Sequence, residues 1–103
     1  MDKIKEIEKI IAGVFEVGED FVESRSRKFE YVVPRKVLCM VLVKKEQMKQ
    51  ICIANHMGYA SHSNVSIHVK TGEWWYESDY NFREKVDKVN DIMHQRFYSS
   101  KVA

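Results

Sequence analysis

Apolar residues recur along this chain at steps of three and four, and each such run predicts a helix. Over 2–15, Ile4, Ile7, Ile10, Ile11, Val14 and Phe15 share one face, with Asp2 as the N-cap. Gly18 closes this unit, and 19–23 predicts a short acidic turn of helix. The polar, basic stretch SRSRK at 24–28 predicts a loop. From Phe29 to Val43 the pattern turns apolar, with Val32, Val33, Val37, Leu38, Val41 and Leu42 on one broad face. Pro34 lacks an N–H and belongs in a first helical turn, which places this helix at about 31–45. A valine-rich run also suits a strand, but the length of this one favours the helix.

A third run, 48–57, places Met48, Ile51, Cys52 and Met57 at helical spacing, with Gly58 just past its end. Tyr59 and Ala60 then make a tight turn, and Ser61 is the N-cap of another helix. Val65 and Val69 mark that helix's inner side and Trp75 or Tyr76 lies near its end, while Gly72 weakens its second half. Asp79 caps the last helix, where Phe82, Val86, Val89, Met93 and Phe97 give the strongest periodic signal in the chain. The expected fold is all-α, a bundle of about five or six helices forming one domain over 1–103.

Composition narrows the class. The 103 residues are 45% hydrophobic and 31% charged, which is ordinary for a folded globular domain and unlike a disordered chain. No apolar run approaches the roughly 20 residues of a membrane span, and the N-terminus lacks a signal peptide's apolar stretch. Cys39 and Cys52 sit in apolar segments without CxxC spacing, which predicts reduced, buried thiols in a cytoplasmic protein. No membrane partner is expected.

Several chemistries are excluded by what is missing. There is no glycine-rich phosphate loop, so no nucleotide cofactor is expected. Ser61, His62 and Ser63 diverge on a helix and no acid lies between Glu46 and Glu73, so no catalytic triad forms and no enzyme is expected. Cys52 and His56 have a zinc-compatible spacing, but no second compact ligand pair accompanies them, and neither Cys39 nor His62 supplies one; no metal is expected. Trp74, Trp75, Tyr76 and Tyr80 are expected in the core and between helices rather than as a base-stacking platform.

Charge is distributed unevenly. The net charge is +2, but residues 1–23 carry −4, residues 24–70 carry +7 and residues 71–103 carry −1. A middle section this basic suits either an electropositive face toward phosphate or a plain solvated surface. Motif decides between them. Two helices joined by Gly58-Tyr59-Ala60-Ser61 have the form of a helix-turn-helix, whose second helix enters the DNA major groove N-terminus first. Here that segment is Ser61-His62-Ser63-Asn64-Val65-Ser66, short, polar and rich in donors and acceptors. His62, Ser63, Ser66 and Lys70 project from the side opposite Val65 and Val69. A merely solvated helix favours Glu, Lys and Gln over Ser, Asn and His.

The segments IEKIIAGVF, SRSRK, PRKVLCMVL, IANHMGYASHSNV and the helix around FREKVDKVNDIM, in this order over about 7–95, resemble the C-terminal DNA-binding domain of the bacterial chromosomal replication initiator DnaA. The resemblance implies a helix-turn-helix fold related to that of the tryptophan repressor and double-stranded DNA as partner, in a bacterial or phage setting. It places Ser61, His62, Ser63 and Asn64 where the family reads bases, with Ser66 and Lys70 further along the same helix. Arg25, Arg27 and Lys28 fall in the family's basic loop, which sends an arginine into the minor groove. Arg35 takes the place of the arginine after the proline and implies a phosphate or groove contact. Ala60-Ser61 replaces the family's Arg-Asp and Asn64 its second Thr, which leaves two outcomes open: a different target site, since Asn reads adenine well, or weak binding with no sharp preference. Two other roles remain open: a module that binds a replication or transcription protein through the Trp74-Trp75 region, and a small transcriptional repressor.

Overall fold

Alternating charge and isoleucine begins the fold as an amphipathic helix, α1 (Lys3–Phe15), in a computed structural model that describes residues 3–24 and 28–98. Ile7, Ile10, Ile11 and Ala12 are buried along its inner face. The acidic segment that follows forms a single 3-10 turn, Glu19–Phe21, and Phe21 inserts completely into the core. Asp2, expected as the N-cap of α1, lies outside the described residues.

The apolar middle of the chain becomes α2 (Phe29–Lys44), a helix and not a strand. Every residue from Val33 to Leu42 except Arg35 is buried, so α2 runs through the centre of the bundle with neighbours on all sides. Its start corrects the sequence expectation. The helix begins two residues earlier than 31, which puts Pro34 in its sixth position rather than its first turn. Only the bond to the Glu30 carbonyl is forfeited, because Tyr31 and Val32 N–H groups already close the first turn on the Lys28 carbonyl at 2.9 and 3.0 Å. The Phe29 ring meets Trp75 at 5.6 Å between centroids, giving this early turn a tertiary anchor.

Helix α3 (Gln50–Met57) is followed by α4 (His62–Ser78) and α5 (Tyr80–Met93), and a π-helical turn, His94–Tyr98, carries Phe97. Asp79 caps α5 as expected, its Oδ1 accepting from Phe82 N at 3.1 Å. Phe82, Val86, Val89 and Met93 are buried at the predicted spacing. No strand occurs among the described residues, and the architecture is all-α. The most extensive packing is α2 on α4, followed by α3 on α4 and α1 on α5.

Gly72 explains how α2 and α4 come so close. It does not interrupt α4, as sequence alone suggests, but is buried against Met40. A β-carbon there would stand 3.0 Å from the Met40 Cγ and nearer still to its sulfur.

The phase of α3 also departs from expectation. Ile53, Ala54 and Met57 face the core, whereas Ile51 and Cys52 are exposed. Cys52 is therefore not the buried thiol its apolar neighbours imply; Cys39 is. Met48 precedes the helix, which starts at Gln50 and not at 48, so it does not set the phase, and packing against α4 selects the other side.

Candidate functional site

The turn between α3 and α4 is built from a glycine and a serine with opposite tasks. Gly58 takes a left-handed conformation, φ 77°, that reverses the chain at the end of α3. Its neighbour Tyr59 donates its N–H to the Ala54 carbonyl at 2.9 Å. Ser61 then adopts an extended backbone, and its Oγ accepts from Ser63 N at 3.1 Å, capping α4. No acidic residue stands in the first turn of α4, so the partial positive charge at the helix start is uncompensated there.

Helical rotation of about 100° per residue sorts the side chains of α4 into two faces. Val65, Val69 and Gly72 are buried and His68 half-buried, which defines the inner face. The direction opposite is occupied by Ser63, Ile67, Lys70 and Trp74, all exposed. His62 and Asn64 are exposed at its flanks, and Ser66 is half-buried. Of the expected outward group of His62, Ser63, Ser66 and Lys70, only Ser63 and Lys70 point directly outward, His62 and Ser66 being turned aside by the step of about 100°. Two apolar residues join them, Ile67 at 56% exposure and Trp74 at 66%.

A partly buried polar chain holds α4 in this rotation. Lys36, on central α2, sends its Nζ to Thr71 Oγ1 at 2.8 Å and to His68 Nδ1 at 3.3 Å. An ammonium only donates, so His68 Nδ1 must accept, and the ring carries its proton on Nε2. That N–H donates to the Tyr59 hydroxyl at 3.0 Å. The Thr71 hydroxyl in turn donates to the Ile67 carbonyl at 2.9 Å. The chain therefore ties the turn and the inner face of α4 to the core helix. Burial and the Lys36 and Arg35 charges push the His68 pKa down to about 4, which keeps the ring neutral. Burial likewise lowers Lys36 and pushes Tyr59 and the neighbouring Cys39 thiol up to about 12.

A pH dependence follows. The unfolded imidazole takes up a proton as pH falls below about 6.5, while the folded ring resists it until about 4. The unfolded state then binds more protons, so stability declines with falling pH across that window. After allowance for solvent reaching a half-buried ring, the decline is roughly 1–2 kcal/mol. His68→Gln, which does not titrate, is expected to flatten this part of a melting-temperature profile. An unchanged slope would show that the ring is solvated.

The basic residues are placed less uniformly. Arg25 and Arg27 lie outside the described residues. Lys28 is exposed immediately before α2, near the Phe29–Trp75 contact and not beside the first turn of α4. Arg35 is half-buried: its Nε donates to the Phe21 carbonyl at 2.8 Å, and its Nη2 donates to the Ser24 carbonyl. Its guanidinium thus fastens the chain between Phe21 and Ser24. Arg35, Ser24, Gly58 and Tyr59 line one cleft of about 540 Å³, which brings Ser24 beside the α3–α4 turn. The Glu8 carboxylate, buried under α3, accepts from His56 Nε2 at 2.6 Å and ties α1 to the same region.

Two further expectations change. Trp74 and Tyr80 are exposed rather than in the core, while Trp75 and Tyr76 are partly buried. Lys44 pairs with Glu73 across α2 and α4, so this cation is engaged within the bundle. Among the described residues no three His, Cys, Asp or Glu side chains gather as a metal site, and no helix is long and apolar enough to cross a membrane. Sequence reasoning omitted Lys36, Tyr59, His68, Thr71 and Ile67. His68, three residues after Val65 and one before Val69, does carry a signal, since that spacing turns it inward.

No protein-family profile, no curated protein and no solved structure matches this chain.

Proposed function

We propose that the chain binds double-stranded DNA as a helix-turn-helix protein, with α3 and the turn at 58–61 leading α4 into the major groove. The observation that carries this reading is the outer side of the first turns of α4. Short donor- and acceptor-bearing side chains stand there, free of acids, on a helix locked to the core by Val65, Val69 and the Lys36–His68–Tyr59 chain. His62, Ser63 and Asn64 address base edges, Ser61 caps the helix, and Ser66 and Lys70 lie further along, Lys70 toward phosphate. Arg25, Arg27 and Lys28 serve the minor groove or backbone, as the resemblance to the replication initiator implies. Arg35 supports them by holding the start of their loop. An accessory replication factor or a small regulator fits this assignment.

Substitutions separate the roles. Asn64→Ala is expected to weaken binding to a selected duplex by roughly 5- to 150-fold and to relax preference at one base pair. Lys70→Ala is expected to weaken all duplexes alike and to reduce the salt slope by about one. Equal behaviour of the two variants in a fluorescence-anisotropy titration would contradict the assignment.

A second reading has a specific observation behind it. Trp74 and Tyr80 are 66% and 67% exposed near the junction of α4 and α5, as a protein-binding module would have them. It predicts that Trp74→Ala leaves DNA binding and folding intact while abolishing function in the cell.

A further inference from the structure

Ile67 is out of place on a helix face that only needs to meet water. It is 56% exposed, and it stands nearly opposite the buried line of Val65, Val69 and Gly72. Its neighbours on the outer face are Ser63, one turn before, and Lys70, one turn after, with Ser66 beside it. A β-branched side chain is a poor choice for an exposed helical position, where Lys, Glu or Gln forms the helix more readily. Nor is Ile67 free to turn inward. The adjacent His68 is bound on both ring nitrogens, to Lys36 and Tyr59, and the Ile67 carbonyl accepts from Thr71. The roll of the helix is thereby set, and Ile67 remains outside.

The chemistry that rewards an outward aliphatic group among polar ones is narrow. In the major groove the one apolar feature of a natural base pair is the C5-methyl group of thymine. Ser63 and Ile67 lie about 6 Å apart along the helix axis, and Asn64 stands between them, so all three fall within the stretch that enters the groove. Trp74, about 16 Å beyond Ser63, lies past that stretch and is not part of the contact.

We infer that Ile67 reads thymine by packing its side chain on the C5-methyl group, adding a thymine-selective position to the site formed by Ser63 and Asn64. The inference rests on the DNA-binding reading above and adds to it a residue and the base feature it recognises. No hydrogen bond is involved. The discrimination comes from removing a methyl group from water, and about fourfold per methyl is the expected scale.

The test uses the duplex that the protein enriches from a random library, with each thymine in turn replaced by deoxyuridine, which lacks only the methyl group. For the unmodified protein, one or two of these replacements are expected to weaken binding about fourfold. Ile67→Ala is expected to bind the thymine duplex more weakly by a similar factor and to be indifferent to those same replacements. Alanine at this exposed position improves helix propensity, so the variant stays folded. Circular dichroism melting checks this. If deoxyuridine costs both proteins equally, or costs neither, the thymine contact is overturned while DNA binding stands. If the library yields no enriched duplex, the inference falls together with the reading beneath it.

Discussion

Phe21→Ala is expected to cost about 3–5 kcal/mol, a large part of the stability of a domain this size. Phe21 belongs to a single 3-10 turn, yet its ring is completely buried and ranks among the largest fully buried side chains. One turn has almost no stability of its own; its conformation is held by that ring and by Arg35 Nε on the Phe21 carbonyl. Losing the ring leaves a cavity that α1 and α2 fill only in part. The segment from Glu19 to Ser24 then loosens with it. In urea titration the midpoint should drop with little change in slope, and the melting temperature should fall by roughly 15 °C or more. Phe21→Leu should recover most of the loss. A small effect of the alanine variant would mean that the turn is peripheral to the fold.

Gly72→Val tests the crossing of α2 and α4, the largest contact in the bundle. The Met40 side chain already occupies the space a β-carbon would need, so valine must displace it or part the helices. Overpacking of this kind costs about 1–3 kcal/mol, more than removal of a helical glycine returns. The sign of the coupling is the sharper prediction. Met40→Ala alone leaves a void, but combined with Gly72→Val it makes room for the new side chain. The double variant should therefore lose at least ~1 kcal/mol less than the sum of the single losses. Strict additivity would contradict the close approach.

The parts of this fold that could be read from the sequence are those decided locally. Isoleucines at helical spacing define α1, Phe82 to Met93 define α5, and Ser61, Asp79 and Gly58 end or begin helices through bonds to residues two to four positions away. The harder features depend on distant partners. Pro34 is tolerated in the sixth position of α2 because Phe29, before it, packs on Trp75. The phase of α3 is set by α4, and Cys52 is exposed for that reason. Trp74 and Trp75 are indistinguishable by composition, and only the rotation of α4 separates an exposed ring from one packed against Phe82 at 5.6 Å.

The same distinction runs through the candidate site. Its cap and polar first turn are local and legible. The chain from Lys36 to His68 links residues 32 positions apart, so no spacing rule finds it. Arg35 shows the reverse difficulty. The resemblance to the replication initiator implies a DNA contact for it, while the fold directs its guanidinium to two carbonyls at 21 and 24. The basic character of 24–70 is real, but Lys44 is paired and Lys36 is buried, so the cations left to face a polyanion are fewer than the count suggests.

The most direct test of DNA recognition by α4 is selection of the purified protein on a random-sequence duplex library at low and at physiological salt, beside His62→Ala and Asn64→Ala. Base reading by α4 predicts an enriched motif, affinity that falls steeply with salt, and loss or blurring of the motif in both variants. Absence of binding even at low salt, or an identical motif from all three proteins, would contradict it.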